Sequence, residues 1–143
     1  MDRNLAIITG GPGTGKTYTL ARILALLIDG GIDPKFIQLT APTGKAADRM
    51  KEAVNEACKG LEEGLRANLE AASNSSKTIH SLLRHHPGKN SCTYHAGHRL
   101  PCKVLIVDEC SMVDTLLWQA LLEALPDDAR LILLGDPNQL ESV

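Results

Sequence analysis

An eight-residue motif near the start of the chain limits its fold more than any other feature. Residues 10–17 match the pattern G-x-x-x-x-G-K-[ST], between an apolar run, Leu5–Thr9, and a segment with apolar residues at helical spacing. A strand, a glycine-rich loop and a helix in this order direct backbone N–H groups and a helix N-terminus at one point, which suits a phosphate. The motif therefore predicts a phosphate-binding loop in an α/β fold.

The residue types within this loop fit a nucleoside triphosphate. Glycines lack a Cβ, so backbone N–H groups can converge on phosphate oxygens. Lys16 is predicted to reach the β- and γ-phosphates of ATP, and Thr17 to hold Mg²⁺ through its hydroxyl. A glycine-rich turn with a chance lysine is the alternative, and the flanking strand and helix argue against it. The predicted nucleotide-binding residues of the loop are Gly10, Gly11, Pro12, Gly13, Thr14, Gly15, Lys16 and Thr17.

A pair of carboxylates forms the second part of the predicted site. The apolar run Val104–Val107 ends in Asp108 and Glu109, and open α/β sheets bind ligands at the carboxyl ends of their strands. Asp108 is predicted to bind Mg²⁺ directly or through water, and Glu109 to orient and deprotonate the attacking water. An acidic loop start after a buried strand is common, but a phosphate-binding loop upstream favours the catalytic interpretation.

A polar run, residues 135–140, follows a further apolar strand. Gln139 in this run could hydrogen-bond the γ-phosphate or the water and so distinguish ATP from ADP. On chemistry alone, a Gly-Asp-Pro turn with an exposed glutamine is an equally good interpretation. The predicted catalytic residues are Lys16, Glu109 and Gln139, and the predicted Mg²⁺ ligands are Thr17 and Asp108.

Strand-like and helix-like segments alternate along the chain, which predicts a mostly parallel sheet with helices on both faces. The fold class is therefore α/β, a P-loop NTPase of the RecA-like type. Thr78 is predicted to cap a short helix, and residues 73–76 to form a polar loop. Residues 85–101 are predicted to form a long irregular segment, for which a hairpin is one interpretation. Strands are predicted at Leu5–Thr9, Phe36–Thr40, Lys103–Val107 and Arg130–Leu134, and helices at Thr14–Asp29, Thr43–Leu69 (bent or broken near Gly60 and Gly64) and Asp114–Leu125.

Composition restricts the core and the partners. With 43% hydrophobic and 3% aromatic residues, the core must rest on Leu, Ile, Val and Ala, as in a sheet covered on both faces. A net charge of -2 and a pI of about 6.2 give no bulk argument for nucleic acid. Ile23–Ile28 is too short an apolar stretch to span a bilayer, and the first residues do not resemble a signal peptide. We expect no membrane partner and a cytoplasmic location.

The order of the motifs resembles that of superfamily 1 DNA helicases, and their wording is most similar to the RecD family, the alpha subunit of exonuclease V. In that family the acidic motif usually reads Asp-Glu-Ala-Ser, so Cys110 is a small-for-small departure. Gln139 matches the family's γ-phosphate sensor. The residues that carry the resemblance are 10–17, 40–47, 78–80, 108–112 and 135–140.

The resemblance also implies contacts with single-stranded DNA. Thr43 begins a predicted helix, where backbone N–H groups suit a DNA phosphate, and His80 could stack on a base. Thr43 and Thr78 are also good helix N-caps, which is the structural alternative. The residues that match the family's two DNA-contacting motifs are Pro42, Thr43, Lys45, Thr78 and His80.

The family implies ATP-driven movement along DNA in the 5′ to 3′ direction, with ATP and Mg²⁺ bound. Residues 93–101 resemble the RecD subunit, which favours RecB and RecC as partners and recombinational double-strand break repair over a stand-alone RecD-like helicase. Residues 1–143 are expected to form a single RecA-like ATPase domain, with a second motor domain and an upstream region outside it. Because the second domain supplies an arginine to the γ-phosphate in this family, the domain alone is expected to be nearly inactive.

Three further interpretations stay open from the residues. A P-loop small-molecule kinase would need an arginine-rich lid, and the long irregular segment holds only Arg84 and Arg99. A non-catalytic ATP-binding interaction module is a second possibility. The third is a zinc site, although the spacing matches no common ligand pairing and the family is not expected to hold metal there. Its imagined ligands are Cys92, His95, His98 and Cys102.

Overall fold

The computed structural model describes residues 5–9, 16–86, 88 and 91–135, with side chains described from residue 19 onward. Helices and strands alternate within these residues. The helices are α1 (Lys16–Asp29), α2 (Gly44–Ala57), α3 (Glu63–Asn74), α4 (Ile79–Leu83) and α5 (Thr115–Ala124). The strands are β1 (Leu5–Thr9), β2 (Ile37–Ala41), β3 (Lys77–Thr78), β4 (His85–His86), β5 (Ser91–Cys92), β6 (Val104–Val107) and β7 (Arg130–Gly135).

Five of the strands form one sheet in the order β1-β7-β6-β2-β3, and every neighbouring pair is parallel. Such pairing requires crossover connections, which the helices supply. β4 and β5 form a separate antiparallel pair, with His85 opposite Cys92 and His86 opposite Ser91. The predicted α/β class and the hairpin within residues 85–101 are both confirmed.

The two faces of the sheet bury separate hydrophobic clusters. In β6, Val104 and Ile106 pack with α1, α2 and α3, whereas Leu105 and Val107 pack with α4 and α5. All four side chains are 0% exposed, as expected for a strand covered on both sides. Each fully buried side chain of this size contributes about 1.5–3 kcal/mol to folding. Helices therefore cover both faces, as the sequence predicts.

The segment predicted to be helical from Thr43 to Leu69, with a bend or break near Gly60 and Gly64, is two helices. α2 ends at Ala57, and Gly60 has a φ of 90°, which an L residue rarely adopts. The break lets the chain fold back, so that Val54 of α2 and Leu69 of α3 enter the same buried cluster. Gly64 lies in the first turn of α3 and does not interrupt it.

The polar loop predicted at 73–76 is also partly wrong, because α3 continues through Asn74. Ser73 is 0% exposed, and its hydroxyl donates to Oδ1 of Asn55 at 2.9 Å. A buried hydroxyl with a partner avoids the cost of an unsatisfied polar group. The serine therefore ties α3 to α2 and does not mark a loop.

Helix starts follow the predicted capping residues. The side-chain oxygens of Thr43, Thr78 and Asp114 accept hydrogen bonds from backbone N–H groups three residues later, at 3.1, 3.1 and 2.8 Å. Each bond satisfies one of the N–H groups that a helix start leaves unpaired. Among the described residues, no helix is both long enough and apolar enough to cross a membrane.

Candidate nucleotide and nucleic-acid site

The carboxyl ends of the parallel strands meet at one edge of the sheet. β7 lies between β1 and β6, and Thr9 at the end of β1 is the register partner of Gly135 at the end of β7. Residues 10–17 follow β1, the run containing Gln139 follows β7, and Asp108 follows β6. Three neighbouring strands thus lead to the three segments of the predicted phosphate site.

Part of the predicted nucleotide site falls outside the described residues. Gly10, Gly11, Pro12, Gly13, Thr14 and Gly15 lie outside them, and so does Gln139. Lys16 and Thr17 are the first two residues of α1, with their side chains not described. The start of a 14-residue helix at this edge supplies unpaired N–H groups and a partial positive charge, both suited to phosphate.

Asp108 is held at the end of β6 by its backbone and its carboxylate. Its N–H donates to the carbonyl of Thr40 on β2 at 2.9 Å, and its Oδ1 accepts from the N–H of Glu109 at 2.8 Å. The side chain is half-buried. A carboxylate oxygen and a threonine hydroxyl are hard donors of the kind that Mg²⁺ prefers, so Asp108 and Thr17 fit the predicted metal.

Glu109 adopts a left-handed backbone conformation, with φ 51° and ψ 44°. Its carbonyl accepts from the N–H of Met112 at 2.9 Å, which closes a 3-10 turn directly after β6. Among the described residues, Glu109 and Arg84 are the non-glycine residues with positive φ. Such strain costs about 1–3 kcal/mol and is found mainly at functional sites, so its presence at the predicted catalytic base supports that role.

Cys110, the departure from the family's wording, is 4% exposed and belongs to the cluster under α4 and α5. A thiol there packs as a small apolar side chain, in the way an alanine would. The departure therefore replaces one small buried side chain with another, in a turn that follows both carboxylates.

The predicted DNA residues after β2 lie next to the acidic motif. β2 pairs with β6, and Pro42 and Thr43 follow its last residue, Ala41. Pro42 is half-buried, whereas Thr43 and Lys45 are exposed. The Thr43 oxygen caps α2 as an acceptor, but its hydroxyl hydrogen can still be donated to a phosphate. Capping and DNA contact are therefore compatible at this residue.

The second predicted DNA motif lies on the neighbouring strand. Thr78 ends β3 and is the register partner of Ala41, so the two motifs leave adjacent strands at the same edge. Thr78 caps α4 in the same manner as Thr43 caps α2. His80 is exposed, and its ring lies edge-on to that of His85 with 5.4 Å between centroids. An exposed ring in this place could accept a stacked base.

Sequence patterns missed the side chain that ties these strands together. Thr40 is 0% exposed, and its hydroxyl donates to the carbonyl of Lys77 at 2.8 Å. β3 has two residues, too few for an alternating pattern. A buried threonine at the end of an apolar strand is the signal that could have indicated an attached neighbour.

The two histidines of the zinc alternative have other partners, since His98 also contacts the carbonyl of Thr93 at 3.1 Å. No group of three His, Cys, Asp or Glu side chains in the described part of the chain is arranged to hold a metal ion. His95 accepts from the N–H of Gly97 at 3.0 Å, and burial raises the pKa of Cys102 to about 11. The described side chains therefore do not form the ligand cluster that a zinc site needs.

Comparison with known proteins identifies the class of protein. A family model described as "AAA domain" matches residues 1–143. The chain therefore belongs to the AAA domain family, in agreement with its parallel sheet and glycine-rich loop. Within that family, the chain is similar to proteins named RecD.

The similarity to RecD extends over the whole chain. It is 44% identical to the RecBCD enzyme subunit RecD of Mycolicibacterium smegmatis, over 100% of this chain and 26% of that protein. It is 41% identical to RecD of Haemophilus influenzae, over 96% of this chain and 22% of that protein. It is 34% identical to the ATP-dependent RecD2 DNA helicase of Deinococcus radiodurans, over 97% of this chain and 16% of that protein. The chain thus spans 16–26% of the length of these relatives.

Proposed function

We propose that residues 1–143 form a single RecA-like ATPase domain, the first motor domain of a 5′ to 3′ DNA helicase. The main supporting observation is that β6, β2 and β3 end at the same edge of the sheet, so that Asp108 and Glu109 lie on the same edge as Thr43 and Thr78. An ATPase site and a DNA path on adjacent strands are what a motor needs to couple hydrolysis to movement. The identity to RecD-named proteins supports the same function.

In the proposed reaction the chain's own groups bind and polarise ATP. The backbone of residues 10–15 and Lys16 hold the phosphates, and Gln139 hydrogen-bonds the γ-phosphate. Mg²⁺, held by Thr17 and Asp108, neutralises charge on the β- and γ-phosphate oxygens when bound. Glu109 takes the proton of the water that attacks the γ-phosphate, and ADP leaves as phosphate forms.

A short path of hydrogen bonds links the two proposed sites. The N–H of Asp108 donates to Thr40 on β2, and the Thr40 hydroxyl donates to Lys77 on β3. A shift of Asp108 on ATP binding would thus move the ends of the strands that lead to Thr43 and Thr78. Coupling through packed and hydrogen-bonded elements of this kind is how sites communicate across a domain.

We propose that these residues belong to the RecD subunit of RecBCD exonuclease V, with RecB and RecC as its partners. We also propose that this protein acts in recombinational double-strand break repair and is located in the cytoplasm. Identities of 44% and 41% to RecD subunits, against 34% to RecD2, favour the RecD subunit over a stand-alone helicase. A small-molecule kinase gains no support, because Arg99 donates to the carbonyl of Leu125 and pairs with Asp127, and so is not on a lid.

Calorimetric titration with ATP·Mg tests the proposal. The wild-type chain should bind ATP, Lys16→Ala should lose binding because it removes the side-chain cation at the phosphates, and Glu109→Gln should keep it. Hydrolysis by residues 1–143 should be slow, and should rise on extension through a second motor domain, since an arginine supplied there is worth about 10³–10⁵ in rate. Equal ATP affinity in wild type and Lys16→Ala would refute the phosphate-site assignment.

A further inference from the structure

A cavity of about 200 Å³ opens on the flank of the sheet, beside α4 and toward the amino end of β2. Three of the residues lining it are cations, Lys35, Lys77 and Arg84, and the polar groups of Ser81 and Tyr94 lie beside them. No Asp or Glu is among the described residues that line this cavity. In a chain with a net charge of -2, this local concentration of positive charge would attract an anion.

These cations are not neutralised within the described part of the chain. Its ion pairs involve none of the three. Lys35 instead lies over the ring of Phe36, with Nζ 5.2 Å from the centroid, and Lys103 lies over the same ring at 4.9 Å. Asp33 accepts a hydrogen bond from the backbone N–H of Lys35, so its carboxylate caps the local turn. Three positive charges thus line the cavity without a carboxylate paired to them in the described part of the chain.

The backbone of Arg84 is held in an unusual conformation that fixes its place in the cavity. Its φ of 55° and ψ of 57° put it in the left-handed region, as with the proposed catalytic base Glu109. Its N–H donates to Ser81 and its carbonyl accepts from Thr93, both at 3.1 Å. Its guanidinium carbon lies 5.6 Å from the ring centroid of Tyr94. The left-handed conformation is that of a helix C-cap, since Arg84 directly follows α4, and the residue lines the cavity.

Tyr94 is the aromatic ring among the described residues that line the cavity, and histidine rings lie close to it or to α4. His80 lies edge-on to His85 at 5.4 Å, and Tyr94 lies against His98 at 4.9 Å between centroids. The histidines are exposed and Tyr94 is half-buried. Cys102 in the wall has a pKa of about 11 because of burial, so its thiol is neutral and does not repel an anion. Cations that track a phosphate backbone, next to rings on which bases stack, are typical of single-strand binding surfaces.

We propose that this flank is a second contact for single-stranded DNA, with a backbone phosphate between Lys35, Lys77 and Arg84. The cavity lies at the opposite end of β2 from Thr43, so it is separate from the contact there. Lys77 directly precedes Thr78, so the flank continues the proposed path around the β3–α4 edge. The inference rests on the proposed function, because it assumes a DNA-binding domain.

The charge contribution can be measured by fluorescence anisotropy with a labelled oligothymidylate over a range of chloride concentrations. Log affinity falls linearly with log salt, and each lost phosphate contact reduces the steepness of that fall by about 0.7 for a single strand. Lys77→Gln/Arg84→Gln should therefore reduce it by about 1.4. The matched control is Lys59→Gln/Arg66→Gln, the same charge change on exposed residues of the α2–α3 side. We expect its slope to stay at the wild-type value.

Two single variants separate binding from folding. Arg84→Gly should raise Tm, because glycine relieves the left-handed strain, and should still weaken DNA binding. Lys77→Arg should keep the wild-type salt slope. A more stable protein that binds less well cannot be explained by a structural role of Arg84.

Several results would overturn the inference. These are a flank variant with the wild-type slope, equal losses in the flank and control variants, or no measurable binding of the strand at low salt. Inorganic phosphate binding that needs Lys77 and Arg84, in a protein whose salt slope for DNA does not depend on them, would indicate a small-anion site and also overturn it. Titration of the same variants with ATP tests the proposed ATPase site independently of the flank. We expect wild-type ATP affinity in all of them.

Discussion

Substitution of Glu109 can separate its backbone strain from its carboxylate. A left-handed conformation costs an L residue about 1–2 kcal/mol, and glycine avoids this cost but loses about 0.5–1 kcal/mol more backbone entropy on folding. At φ 51° and ψ 44° the first effect is the larger. Glu109→Gly should therefore be more stable than Glu109→Ala by roughly 0.5–1 kcal/mol, the reverse of the usual order. For a domain of this size that corresponds to roughly 2–4 °C in Tm.

Thermal unfolding followed by circular dichroism measures this difference, and phosphate release from a longer chain with the second motor domain measures the chemistry. Glu109→Gly, Glu109→Ala and Glu109→Gln should all lose hydrolysis by about 10²–10⁴, since each lacks the base. Glu109→Gln keeps the shape and strain of the wild type and serves as the control for stability. The reasoning on strain fails if Glu109→Ala unfolds at or above the temperature of Glu109→Gly. Wild-type hydrolysis in Glu109→Gln would show that the base lies elsewhere.

Two further predictions concern Thr43 and Cys102. Thr43→Ala should lose about 1 kcal/mol of unfolding free energy together with the helix cap, and should bind single strands less tightly. Thr43→Ser should keep the wild-type stability and DNA affinity, which unfolding and anisotropy titrations measure. Unchanged DNA affinity in Thr43→Ala would contradict the proposed DNA contact. Because burial raises the pKa of Cys102 from 9.0 to about 11, its alkylation by iodoacetamide at pH 8 should be about 100-fold slower than in the denatured chain and should increase up to about pH 11. The stability that this shift contributes is fully present below pH 9 and is lost as pH rises toward 11. An alkylation rate that levels off near pH 9, measured by mass spectrometry, would refute the raised pKa of Cys102.

The α/β architecture could be predicted from short-range patterns because its strands are buried and its helices have capping residues. The apolar run at Val104–Val107 and the caps at Thr43, Thr78 and Asp114 all form as predicted. Errors arose where one pattern has two structural meanings. The break at Gly60 could be predicted from its glycine, whereas Gly64 lies within α3 and the polar run at 73–76 begins in the last turn of that helix.

The candidate site was predictable where one segment carries the chemistry. Asp108 and Glu109 are adjacent in sequence, and a strand before them defines their place at the sheet edge. The flank cavity could not be predicted this way, because Lys35, Lys77 and Arg84 are far apart in the chain and meet only through the pairing of β2 with β3 and the turn after α4. The left-handed backbone of Glu109 carries no sequence signal either, since a glutamate is not expected there.

The short length of β3 also bears on how the protein behaves at high concentration. A long exposed edge strand presents unpaired N–H and C=O groups that recruit other chains into mixed sheets. β3 offers two residues, Lys77 is exposed with its charge at that edge, and α4 begins immediately after Thr78. A second chain would find too few backbone groups in line, and a charge to bury, before the helix blocks its path. This side of the sheet is thus protected against edge-to-edge aggregation during expression and storage.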